Sequence, residues 1–390
     1  MRTGIADLPL HGGKCPPWLF ERMVKLTGAF LEVMVAEAGT EGVLTRLADP
    51  FWFQALGCVL GFDWHSSGLT TTVCGALKEV LRSRGGQLGL FAAGGKGKTS
   101  RQTPREIELI ADRYPLASDP ADLIFASRMA AKVDNSALQD GYQLYQHTFI
   151  FDRRGRWAVV QQGMDGQNGW ARRYHWLSTT LRDFVCEPHQ AICCDHRGEA
   201  LNLVAWESGP ARKVIAELAR EQPEKIVKEL SCLQEKASLR LPARHRLALS
   251  DLNPEKIGRV LLKSYTRQPE NFQALLATEG VGPKTLRALS LLAELAYGTS
   301  SSYRDPARFS FAHGGKDGHP YPVDRALYDQ SIAFLQKALK ESRLGRTEKM
   351  AAFRRLACWE RDWERGKTQP ESVRCDQIIT GSDVCYHSAK

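Results

Sequence analysis

One short run limits what this chain can become: Gly280-Val281-Gly282-Pro283-Lys284, inside ENFQALLATEGVGPKTLRALSLL. The stretches on either side have helical spacing, with Leu275, Leu276, Val281, Leu286, Ala288 and Leu289 placed to share a core. Gly280 and Gly282 are expected to allow a backbone path that side chains would obstruct. Pro283 suits the first turn of a helix, where its missing N–H costs nothing. The run therefore predicts a helix, a tight turn and a second helix, with turn amides facing outward at a positive helix end. A nucleic-acid phosphate fits such an end, and the contact carries no sequence information. Gly280, Val281, Gly282 and Thr285 are the expected contact residues. The plainer reading of the same residues is an ordinary pair of helices joined by a Gly-Pro turn.

Composition agrees without deciding. A net charge of +9 and a pI near 9.0 lean towards a polyanionic partner and are equally compatible with plain solubility. No run of about 18 apolar residues is present, so no membrane span is expected. MRTGIADLPLHGG is too short and too broken for a signal peptide, which points to the cytoplasm, in association with the nucleoid. The ten cysteines form no CxxC pair, so reduced thiols are expected, with no structural metal and no cofactor.

Along the chain, helices are expected at 19–37, 41–48, 50–61 and 70–86, and another starts at Thr103-Pro104. A further helix is expected around 122–140. HTFIFDRRGRWAVVQQGM (147–164) reads as a β-hairpin about Arg154-Gly155, and AICCDHRGEALNLVAW (191–206) as a second about Arg197-Gly198. From 209 the pattern is helical. The expected fold class is an α+β N-terminal domain with β-hairpins (1–208), followed by an all-α helix-hairpin-helix domain (209–365) and a loosely held tail (366–390).

Other polar clusters are weaker candidates. Asp63 and His65 could hold a metal or a general base, or simply form a polar turn. Gly94-Gly95-Lys96-Gly97-Lys98 lacks Walker spacing, but Lys96 and Lys98 could grip phosphate, helped by Arg101 and Arg105. Lys132, Asp134, Asn135 and Asp140 could form a nuclease-like set or a solvated helix face. Gln161, Gln162, Arg172 and Arg173 suit base or phosphate contact, with Tyr174 and Trp176 able to stack or to fill a core. His11 and Lys14 are similar.

LLATEGVGPKTLRALSLL followed by YPVDRALYDQSIAFL resembles the helix-hairpin-helix and Gly/Pro-Asp signature of the DNA glycosylase superfamily, in its endonuclease-III-like branch. The resemblance implies base excision, with Lys284 as an amine nucleophile and Asp324 as the carboxylate that opens the following helix. It implies double-stranded DNA containing a modified base as partner, with a preference for a pyrimidine such as oxidised uracil or thymine. Two departures stand out: forty residues separate Lys284 from Asp324, longer than usual, and the branch's cysteine cluster is absent. Over most of residues 1–330 the chain also resembles the domain-of-unknown-function 763 family, through LPLHGGKCPPWLFERM, DPFWFQALGCVLGFDWHSSG, AGGKGK, AAKVDNSALQDGYQLY, WAVVQQGM and ARRYHW. That family name implies no activity. A non-catalytic DNA-binding adaptor, and a metal-dependent nuclease around Asp63, His65, Asp134 and Asp140, are the alternative readings.

Overall fold

The computed structural model describes residues 15–62, 67–166, 169–194, 197–235, 254–307 and 345–365, with a few positions between 333 and 341. Among these, helix and antiparallel sheet are mixed. The chain opens with three helices, α1 (Pro17–Ala48), α2 (Pro50–Leu60) and α3 (Gly68–Leu88). Asp49 separates the first two, its carboxylate accepting from the amides of Phe51 and Trp52 at 2.8 and 2.9 Å. Strand β1 (Leu90–Lys96), a 3-10 turn (97–102), α4 (Thr103–Arg113) and α5 (Pro120–Lys132) follow. Then come β2 (Leu138–Gln139), β3 (Gln143–Asp152), β4 (Trp157–Asp165), β5 (Trp170–Leu177), β6 (Ala191–Cys193) and β7 (Glu199–Asn202). The last part holds α6 (Gly209–Leu218), α7 (Pro223–Glu235), α8 (Pro254–Arg267), α9 (Phe272–Ala277), α10 (Pro283–Tyr297), β8 (Ser302–Arg304) and α11 (Arg346–Arg365).

Five strands form one antiparallel sheet in the order β1-β3-β4-β5-β6, and β2-β7-β8 form a second. Side-chain alternation sends the larger sheet's residues to two cores. Phe91, Phe149, Phe151, Trp157, Val159, Tyr174 and Trp176 join one cluster, with residues of α4 to α10. Leu90, Ala92, Ile150, Ala158, Val160 and Leu177 join the other, with α1, α2, α3 and α11. Helices therefore cover both faces.

The hairpin about Arg154-Gly155 is present as β3–β4, its turn held by Asp152, which accepts from the amides of Arg154 and Arg156. The hairpin expected about Arg197-Gly198 is not: β6 pairs with β5, whereas β7 pairs with β2 and β8. The helix expected to reach 140 ends at Lys132 and passes through a π-turn (133–137) into β2. One buried cluster runs from Phe91 to Ala307 across the break expected at 208/209, and β8 pairs with β7 across it as well.

Candidate nucleic-acid interface

Helix α9 is short and starts at Asn271, whose side chain accepts from the Ala274 amide at 2.9 Å. Phe272, Leu275 and Leu276 are buried. The helix stops at Thr278, and the Val281 amide bonds back to the Thr278 carbonyl at 3.3 Å. Gly280 lies at φ +88°, in the left-handed region that favours glycine. Val281 is buried and anchors the turn in the core. Gly282 is the N-cap of α10, Pro283 its first residue, and the Gly282 carbonyl accepts the first helical bond from Leu286 at 3.1 Å.

Gly282 departs from the expectation. Its backbone is extended, at φ −142° and ψ −174°, which any residue adopts, and a Cβ there would meet nothing nearer than the Gly280 carbonyl oxygen at 3.9 Å. The fold asks for glycine at 280 and not at 282.

The two sides of the turn differ. On one side the amides of Gly280, Gly282, Lys284 and Thr285 bond to no described residue. Those of Lys284 and Thr285 lie in the first turn, at the positive end of a 15-residue helix whose N-cap is Gly282. Lys284 is exposed there, whereas the Thr285 side chain is buried, which leaves only its amide for a ligand. On the other side the Lys132 ammonium donates to the carbonyls of Thr278 and Val281 at 2.8 and 3.0 Å. The Gln139 amide donates to the Pro283 carbonyl at 2.9 Å and itself accepts from Arg287 Nε at 2.6 Å. Burial holds the Lys132 ammonium below the usual lysine range, with Glu279 opposing the shift.

Lys96, Lys98, Arg101 and Arg105 are exposed around the end of β1. Lys78 and Glu106 brace the loop from inside: Lys78 donates to the Gly94 carbonyl at 2.6 Å, and Glu106 accepts from the Gly94 amide at 2.7 Å.

The remaining candidates fall in the interior. Arg172 and Arg173 are not surface cations. Arg172 is buried, with Nη1 3.0 Å from both Asp140 and Asp305 and Nη2 2.7 Å from Asp305. Arg173 donates to Thr70 and Gln54 and lies over the Phe53 ring at 4.8 Å. Gln161 and Gln162 are equally buried and cannot read a base edge. Gln161 joins His147 to Asp134, and Gln162 donates to the Ser67 carbonyl and the Tyr145 hydroxyl. Tyr174 and Trp176 are core aromatics.

Lys132, Asp134, Asn135 and Asp140 form neither a nuclease set nor a solvated face. Asp134 is buried and is bonded by Gln161, Trp176 and His189. Asp140 accepts from Tyr174 at 2.7 Å and from Arg172, and Asn135 is exposed. Among the described residues, no three His, Cys, Asp or Glu side chains are grouped to hold a metal ion. No described helix is long and apolar enough to cross a membrane. His11, Lys14, Asp63, His65 and Asp324 lie outside the described residues.

Lys132 and Gln139 are what sequence reasoning missed at the turn. Nothing local joins them to residues 146 and 144 positions away.

A family model described as "Protein of unknown function (DUF763)" matches residues 4–323, and the chain belongs to that family. No curated protein and no solved structure matches it.

Proposed function

We propose that this DUF763 member binds duplex DNA through the α9–α10 turn, used as a helix-hairpin-helix, and acts there as a DNA glycosylase with lyase capability. The observation that carries the binding is the group of four amides between Gly280 and Thr285, at the start of α10, that bond to no described residue. A phosphodiester oxygen matches it in charge and size. Lys96, Lys98, Arg101 and Arg105 offer a second exposed basic group to the backbone, and the net charge of +9 draws a polyanion towards both.

The catalytic part rests on Lys284 and on the resemblance to endonuclease-III-like glycosylases. Lys284 is exposed in the first turn of α10, immediately after Pro283, so its amine stands beside whatever the turn grips. The unprotonated form of the amine is the one that attacks C1′ of an extruded nucleotide. The base leaves with the electrons of its bond to C1′ and takes up the proton that the amine loses. The sugar ring then opens at C1′–O4′, O4′ takes a proton, and the lysine nitrogen is left doubly bonded to C1′ as a protonated Schiff base. In this reading Asp324 supplies the carboxylate that stabilises cationic character on the sugar. A modified pyrimidine is the favoured substrate class.

The test uses the full chain against a panel of duplexes, each with one modified base, over a range of salt and with borohydride present. Log affinity is expected to fall with log salt, and one duplex is expected to lose its base and give a trapped adduct. A flat salt slope on both duplex and single strand overturns DNA binding. Binding without base release on any duplex overturns the glycosylase and leaves a non-catalytic DNA-binding protein.

A further inference from the structure

The turn is held from beneath by a segment far away in the chain. Lys132 closes α5, and Gln139 lies in β2 beyond the π-turn. Between them, Asp134 is bonded by Gln161 of β4, Trp176 of β5 and His189, so the segment is fixed to the five-stranded sheet. Three carbonyls, those of Thr278, Val281 and Pro283, point to it.

A trans peptide places its carbonyl and the following N–H on opposite sides. The Val281 carbonyl shares its peptide plane with the Gly282 amide, and the Pro283 carbonyl shares its plane with the Lys284 amide. Turning those two carbonyls inward therefore turns those two amides outward. They are half of the four amides that bond to no described residue. We propose that Lys132 is a positioning residue for the phosphate-binding turn, acting with Gln139 as a clamp that fixes which side of each turn peptide faces the ligand. The role of the aimed amides rests on the DNA-binding reading above; the clamp itself does not. Lys132 spends its ammonium on the carbonyl side, so it is not a phosphate contact.

The experiment compares wild type, Lys132→Met and Lys132→Arg in the full chain. It measures hydrogen exchange at the bonded amides of the turn, those of Thr278, Val281 and Leu286, and duplex binding across salt. Lys132→Met is expected to keep a cooperative melt while exchange in the turn speeds up by about tenfold or more. Its DNA affinity is expected to fall by about tenfold, the scale of one charge-assisted hydrogen bond. The slope of log affinity against log salt stays that of wild type, because no phosphate contact is lost. Lys132→Arg, which keeps the cation and its donors, is expected to restore both readouts to within about threefold. Unchanged exchange and affinity in a folded Lys132→Met protein overturn the proposal. So does a salt slope shallower by about one, which would make Lys132 a direct phosphate contact. If Lys132→Met does not fold, Gln139→Ala removes the second tie, and wild-type exchange and affinity there also overturn the clamp. If wild type binds no DNA, the phosphate reading fails, and the exchange measurement still decides the clamp.

Discussion

The two glycines of the turn separate folding from binding. Gly280 sits at φ +88°, where a side chain costs roughly 1–2 kcal/mol, and its Cβ would approach Val260 Cγ2 at 3.6 Å. Gly280→Ala should therefore lower the melting temperature by roughly 2–5 °C. At Gly282 the backbone is extended and the space beside it open, so Gly282→Ala should melt close to wild type, the cost of alanine at a helix N-cap offsetting the gain from a stiffer unfolded chain. Its unfolded chain has less freedom to lose, an effect of about 0.4–1 kcal/mol. That same open space is where a phosphate would approach the Gly282 amide. Gly282→Val should place methyl groups there and remove one charged hydrogen bond, or two if the neighbouring amide is also covered. At about 1.5–3 kcal/mol each, the expected loss in duplex affinity runs from about tenfold for one weak bond to about ten-thousandfold for two strong ones, equal across sequences. Calorimetry and fluorescence anisotropy on Gly280→Ala, Gly282→Ala and Gly282→Val read the two effects separately. A well-folded Gly282→Val protein that binds duplex like wild type would refute the reasoning, because the open side of the turn would then not be the ligand side.

Three further outcomes follow from the same geometry. Lys284→Ala should abolish any borohydride-trapped adduct and change duplex affinity by less than about fivefold, since backbone amides supply the grip; an adduct surviving in this variant would move the nucleophile elsewhere. Arg172→Ala leaves Asp140 and Asp305 buried without their shared cation and should cost about 3–5 kcal/mol of stability; a DNA-binding defect with an unchanged denaturation midpoint would instead return Arg172 to the interface. His147 and His175 are buried, and burial holds both imidazoles below their ordinary value, so they stay neutral in the fold. A folded pKa below the unfolded one means that stability is complete above about pH 6.5 and is lost as pH falls towards the folded pKa. The loss is about 1.4 kcal/mol per pH unit for each imidazole, so denaturant midpoints should drop between about pH 6.5 and 5, before the carboxylates titrate. A flat midpoint over that window would show that neither ring is held neutral.

Legibility in the sequence followed the range of the interactions. The α9–α10 turn and the β3–β4 hairpin were readable because Gly, Pro and Asp act on their own neighbours. Strands β1 and β5 were not. Phe91-Ala92-Ala93-Gly94 and Ala171-Arg172-Arg173-Tyr174-His175-Trp176 are buried on both faces, so they lack the polar alternation that marks a half-exposed strand. Arg172 and Arg173 looked like surface cations because their partners are remote: Asp140 lies 32 residues away, Asp305 133, Thr70 103 and Gln54 119. The clamp at Lys132 was hidden for the same reason. Glycine identity misled at Gly282, where the absent side chain leaves room beside the turn and has no part in its conformation.

The buried positions also bear on what the protein would read. Backbone amides recognise charge and spacing, so a turn of this kind holds any sequence with similar strength. Selection of one base needs side chains that reach a base edge, or a pocket for an extruded base. Gln161, Gln162, Arg172 and Arg173 have the chemistry for that role, but every one is buried and bonded within the protein. Among the described candidates, exposed side chains are those of Lys96, Lys98, Arg101, Arg105, Asn135 and Lys284. Five of these are cations suited to phosphate or to nucleophilic chemistry, and Asn135 alone carries the amide that pairs with a base edge. Asn135 lies in the π-turn between the two residues of the clamp, so a base reader there would be fixed by the same segment that aims the phosphate site.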